Sequence, residues 1–433
     1  MPRQFAATAW SPFLATACLL ALFAHAAEAG TPADKRLFVL QKASGAMVEY
    51  DLKTGAPVNS VPVPPETFKQ DHPIVVSHRG EVLISFYRSD GYAVPMRHWL
   101  WDGTKAQIVT PQVSPADDSD GWAYPRGLLS ADGGNPFWYK TDMKVSGKPV
   151  AEGSAQAVTP TFQMFQGTLP RPGTEQIIQR TFAECECSTG ACSESCSVGW
   201  AWAPHGVVED FYFVTYFVPG QLQPSYESTY LYTKRGGKWT GQKRAEASER
   251  ILDATRRGGL VVEAVPDAGC CGWQNDSSDV TTVWRSGSRI TIFDEWSRYK
   301  NQRYDVSFFS SNAEISPDGS RVAHTITSSL DARGQSGEIR LSSDVPLSEK
   351  LTPEEIAKLR EVIARHPLVE VVALDSPSRL SLSIPKATLI GWLSDKELLI
   401  LKDKSLHIVE AQNGKPIRTL PLSVERAEYV FLR

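Results

Sequence analysis

From residue 35 onward the apolar positions come in short runs, not in long amphipathic stretches. Leu37–Leu40, Val82–Phe86, Phe211–Phe217, Leu260–Val262 and Leu398–Leu401 are rich in β-branched, aromatic or leucine residues, with Gly, Pro, Asn or Asp between runs. That punctuation predicts strands separated by turns, and an all-β chain. One kind of turn recurs: Ser77-His-Arg-Gly80, Ser130-Ala-Asp-Gly133, Ala203-Pro-His-Gly206, Thr255-Arg-Arg-Gly258, Ser316-Pro-Asp-Gly319 and Ser394-Asp-Lys396. A polar residue or proline suits its first corners, and glycine suits a corner where φ is positive. Copies lie about 50 to 80 residues apart, a spacing compatible with four-stranded units that carry loop insertions. Each turn is expected to join two strands of one unit.

One segment breaks the β pattern. Leu351-Thr-Pro-Glu-Glu-Ile356 reads as a helix start, with Thr352 as N-cap, Pro353 in the first turn and Glu355 completing a capping box. The helix should run to about Arg365, with Ile356, Leu359, Val362 and Ile363 on one face, before His366-Pro367 stops it. It forms the centre of an insertion over 346–367, expected to pack on the rim of the fold, with a partner-docking role as the alternative.

Ile315-Ser-Pro-Asp-Gly-Ser-Arg-Val-Ala-His324 resembles the signature of TolB-like and other WD40-like β-propellers, in which Ser-Pro-Asp-Gly links the inner strands of a blade. Leu389-Ile-Gly-Trp-Leu-Ser-Asp-Lys-Glu-Leu-Leu-Ile400 is a second copy without the proline and the turn glycine. Tyr50-Asp-Leu-Lys-Thr-Gly55 and Val409-Glu-Ala-Gln-Asn-Gly414 resemble one another as outer hairpins of such blades. The resemblance implies a single propeller of six or seven four-stranded blades over 30–433, seven favoured because residues 36–63 supply only part of a blade. Glu428-Tyr-Val-Phe-Leu432 is the expected missing strand. The resemblance speaks to fold and names no activity.

The N-terminus changes the compartment. Arg3 precedes the apolar stretch Phe13–Ala24, and Ala24-His25-Ala26 and Ala27-Glu28-Ala29 follow as small-x-small sites. This is the pattern of a secretory signal peptide over 1–29, with a retained anchor as the alternative reading. Periplasmic or extracellular localisation follows, and Cys18 leaves with the leader. The formal net charge is −4 and no Lys/Arg stripe is present, so nucleic acid is not an expected partner. No membrane span is expected after leader cleavage, and a monomer is expected.

Beyond the leader the cysteines gather in two places. Cys185, Cys187, Cys192 and Cys196 fall in a segment rich in Ser, Gly and Glu, read as a loop over 183–199, while Cys270 and Cys271 fall in a second loop over 266–278. An even number in an exported protein implies disulfides that staple long loops, with fifteen pairings open. The alternatives are a tetrahedral zinc or copper(I) site, with His205 as a possible further ligand, and a reducible vicinal pair. No cofactor is otherwise predicted. Asn275-Asp-Ser-Ser-Asp279 beside the vicinal pair is polar enough for a sugar or a cation, so Trp273, Asn275, Asp276 and Asp279 join His205 as ligand-face candidates.

Asp117-Asp-Ser-Asp-Gly121 hints at a calcium loop but lacks the closing glutamate, and reads as a solvated turn. Trp99, Trp101, Trp200 and Trp202 read as packing between blades, with a carbohydrate or peptide groove lined by some of them as the alternative. A phosphate loop, a zinc-protease helix and a nucleophile elbow are all missing from the sequence. Two functions stay open: a binding or scaffolding module that holds a protein or glycan with loops on one face, and an enzyme whose residues converge on a central channel.

Overall fold

The structure, a computed structural model, describes residues 35–65, 68, 74–78, 81–86, 97–101, 105–109, 137–146, 155–166, 175–181, 185–188, 199–202, 211–219, 224–236, 238–243, 250–255, 259–265, 280–285, 287–295, 298, 308–328, 352–376 and 380–432. The expected leader, the Asp117–Gly121 segment and Ser130–Gly133 lie outside them.

The described strands form seven antiparallel sheets. The first contains β1 (Leu37–Gln41), β2 (Ala46–Tyr50) and β3 (Pro57–Pro62), and the second β4 (Ile74–His78), β5 (Glu81–Phe86), β6 (Arg97–Trp101) and β7 (Ala106–Val109). The third contains β8 (Phe137–Ser146), β9 (Ala155–Gln166), β10 (Glu175–Thr181) and β11 (Cys185–Ser188), and the fourth β12 (Gly199–Trp202), β13 (Phe211–Pro219), β14 (Pro224–Arg235) and β15 (Lys238–Lys243). β16 (Arg250–Ala254), β17 (Leu260–Val265), β18 (Val280–Arg285) and β19 (Ser288–Asp294) make the fifth, and β20 (Phe308–Ile315), β21 (Arg321–Ser328), β22 (Leu368–Ala373) and β23 (Leu380–Pro385) the sixth. The seventh is β24 (Ala387–Ser394), β25 (Glu397–Lys402), β26 (Ser405–Glu410) and β27 (Pro416–Ser423). β28 (Val430–Leu432) returns to the first sheet and pairs with β1, Leu37 opposite Leu432 and Val39 opposite Val430.

From the fourth sheet round to the first, sheets follow one another as neighbours. β12 packs on β16, β16 on β20, β20 on β24 and β24 on β28, so first strands meet first strands in a propeller-like order. Two carboxylates bind this inner layer together. Asp253 on β16 accepts the Ile315 backbone N–H at 2.7 Å, and Glu314 on β20 accepts that of Trp392 on β24 at 2.9 Å.

Burial on both faces explains why the strands read as continuous apolar runs. Leu37 and Val39 pack towards the seventh sheet with Leu399, Leu406 and Ile408, whereas Phe38 and Leu40 pack towards the second with Trp99 and Trp101. In the seventh sheet Leu398 and Ile400 face the sixth, while Leu399 faces the first. Alternate residues of one strand thus serve two different interfaces. Trp99, Trp101 and Trp392 are buried in this packing.

The recurring turn sits between the first and second strands of its sheets. Ser316 Oγ accepts the Arg321 N–H at 3.0 Å, and Thr255 Oγ1 accepts the Leu260 N–H at 2.9 Å, the same five-residue reach. Gly319 closes its turn with φ +70°. The two outer hairpins also match each other: Gly55 donates to Asp51 O and Gly414 to Glu410 O, at 2.7 and 2.8 Å, with φ +70° and +71°. A helix, α1 (Pro353–Ala364), lies in the connection between β21 and β22. Its Val362 and Ile363 pack on Phe293, Phe308, Ile326 and Leu368.

Candidate functional site

Strand direction alternates within every sheet but the third, where β10 and β11 run the same way along β9, and this sorts the connections of the other sheets to two ends of the fold. First-to-second and third-to-fourth connections share one end, where most are short, as at 79–80, 236–237, 286–287 and 395–396. Second-to-third connections and those entering the next sheet share the opposite end. There the chain spends 87–96, 266–279, 295–307 and 329–367, and there 189–198 enters β12. Long connections concentrated at one end of a rigid frame are where binding and catalytic residues gather.

Cys185 and Cys187 do not belong to a loop. They lie on β11, opposite Val158 and Gln156 of β9, so the loop expected over 183–199 begins only after Ser188. The physical reason is the length of β9, whose residues 155–158 extend past the end of β10 and offer backbone partners to a Cys-Glu-Cys-Ser run of low strand propensity. Cys192, Cys196, Cys270, Cys271, Trp273, Asn275, Asp276 and Asp279 lie outside the described residues, as does His205. The strands flanking them are described. The start of β12, which receives 189–198, and the ends of β17 and β18 joined by 266–279 belong to the loop-rich end, whereas 203–210, with His205, leaves from the opposite end of β12.

A buried polar chain underlies the loop-rich end between the fifth and sixth sheets. Thr281 Oγ1 donates to Ser310 Oγ at 2.8 Å, and Ser310 Oγ lies 3.0 Å from His324 Nδ1. Which of the two atoms donates in that contact is set by the tautomer of the imidazole. His324 Nε2 has no hydrogen-bond partner and stands 3.8 Å from Glu370 Oε2. Arg298 grips the Glu370 carboxylate with both terminal nitrogens, Nη1 to Oε2 at 2.6 Å and Nη2 to Oε1. The buried Glu295 accepts the backbone N–H of Phe308.

Burial, opposed by the Glu370 carboxylate and aided to a smaller extent by Arg298, lowers the His324 pKa from 6.5 to about 4. The ring is therefore neutral near pH 7. Serine, histidine and glutamate in sequence are the residue types of a hydrolytic triad, but Ser310 and His324 are 1% and 0% exposed and the serine is engaged by Thr281. The arrangement organises loop stems. Thr281 follows 266–279, Arg298 lies within 295–307, Ser310 follows it, and Glu370 stands where 329–367 re-enters the sheet.

Sequence reasoning passed over this chain of residues, although each is a polar interruption in an apolar run: His324 within Val322–Ile326, Glu370 within Leu368–Val372. A charged or ionisable residue at the centre of a doubly buried strand was the available signal.

No family model and no curated protein matches the chain. Among solved structures it is similar to an uncomplexed Pyrococcus horikoshii acylaminoacyl peptidase, at 11% identity over 90% of this chain and 51% of that one, with a TM-score of 0.40. It is also similar to the β-propeller domain of the Trilobed protease from Pyrococcus furiosus, at 10% identity over 88% and 91% of the two chains, with a TM-score of 0.37. The chain spans about half the length of the peptidase. Its propeller-like class rests on the strand order of its own sheets. Among the described residues no helix is long and apolar enough to cross a membrane.

Proposed function

We propose that this chain is an exported seven-bladed propeller that binds or scaffolds a protein or glycan ligand through its loop-rich end. Each four-stranded sheet is one blade, and β28 closes the ring by completing the first. The leader-like Phe13–Ala24 segment supports export to the periplasm or beyond. Disulfides among the six mature cysteines staple connections that lack a core of their own. The observation that carries the binding role is the unequal distribution of connections: long ones at one end, with stems held by the Thr281–Ser310–His324–Glu370–Arg298 chain, and mostly short turns at the other.

The test is a glycan array combined with cross-linking of envelope proteins in the expressing cell. The intact chain is compared with a variant carrying a short Asn-Gly turn in place of 266–279, and with a first-end control, Lys53→Ala/Lys415→Ala. Ligand retention should fall at least about tenfold in the loop variant, roughly 1.4 kcal/mol, and remain in the control. Equal retention by all three proteins, or catalytic turnover of a retained compound, would overturn the reading.

A further inference from the structure

The backbone around Cys185 and Cys187 restricts how the cysteines can pair. They occupy alternate positions of β11, in register with Val158 and Gln156 of β9. Alternate residues of a strand share one face, and their Cα atoms stand about 6.6–6.8 Å apart with nearly parallel Cα–Cβ bonds. A disulfide requires Cβ atoms about 3.8 Å apart. Direct bonding of Cys185 to Cys187 would break β11 away from β9.

The sheet supplies a second observation. β9 pairs with β8 along one side, so β10 and β11 must both lie along the other, as two halves of one outer strand. From the Thr181–Thr161 pair to the Cys185–Val158 pair, the outer strand advances four positions and β9 three, so the register slips by one at the break. Among the described residues β11 is thus a four-residue edge segment. A segment of that length holds its place weakly by ladder hydrogen bonds alone.

We propose that Cys185 and Cys187 each form a disulfide with a cysteine outside β11, tethering this outer edge covalently at two points. The proposal rests on the disulfide reading above and removes every pairing that joins the two residues to each other. The partners come from Cys192, Cys196, Cys270 and Cys271. Each bond forms as two thiols give up two protons and two electrons to the disulfide of a thiol oxidoreductase, which leaves as a dithiol.

The exported full chain is first treated with iodoacetamide without reductant. Alkylation of all six mature cysteines would sink the disulfide reading itself. With the thiols protected, non-reduced digestion by a protease that cuts after Glu186 separates Cys185 from Cys187. Each fragment should remain linked to a peptide carrying one of the other four cysteines. A Cys185–Cys187 cross-link, with the disulfides otherwise intact, overturns the proposal alone. Cys185→Ser should release one thiol outside β11, and release at Cys187 counts against it. Hydrogen exchange supplies a further readout: reduction should speed exchange at 185–188 at least about tenfold while β13 and β14 stay unchanged, and unchanged exchange at 185–188 rejects the tether.

Discussion

A neutral histidine in a doubly buried strand makes stability depend on acid. In the unfolded chain His324 titrates near 6.5, and in the fold near 4, so between these values the unfolded state binds a proton that the native state refuses. The contribution is fully present above pH 6.5 and is lost progressively as pH falls towards 4. Its size is on the order of 3 kcal/mol. Urea unfolding at pH 4 to 7 should therefore show a steeper acid loss for the native chain than for His324→Gln, which keeps a polar group near Ser310 without the titration. Parallel curves would show that His324 is not the group responsible. Legibility at this scale was uneven: the Ser316 and Thr255 hydroxyls follow from the turn motif, whereas the partners of His324 come from three other strands and a connection.

At the scale of elements, two turn glycines at positive φ offer a controlled comparison. Gly55 has φ +70°, and a Cβ there would stand 2.4 Å from the Pro421 ring. Gly236 has φ +55° in its own tight turn, and a Cβ there would meet nothing within 4 Å. Gly236→Ala should cost only the conformational penalty, about 1–2 kcal/mol, while Gly55→Ala should cost more because a rigid ring must also move. Thermal unfolding of both variants checks the order, and equal losses would mean that the Pro421 contact relaxes freely. The hairpin itself was readable from Tyr50–Gly55 and Val409–Gly414. Its contact with Pro421 of β27 was not, because that proline is hundreds of residues away in sequence.

At the scale of the whole molecule, β28 pairs with β1. Val430, Phe431 and Leu432 lie against Val39, Phe38 and Leu37, and Val430 also enters the core shared by the first and seventh sheets. Removing Glu428–Arg433 should lower the melting temperature and promote aggregation, since it exposes the edge of β1 and opens that core. Calorimetry and light scattering would detect both effects, and an unchanged melting temperature would show that β28 contributes no closure. Short apolar runs, hydroxyl-led turns and glycines at positive φ were determined by the sequence, because strand and turn formation answer to neighbours within a few residues. Tertiary structure alone decided that β28 joins β1, that β11 continues the outer edge of β9, and that Thr281, Ser310, His324, Glu370 and Arg298 meet. Each of these unites segments that local sequence does not join, and strand pairing within sheets together with packing between sheets brings their backbone and side-chain partners within reach.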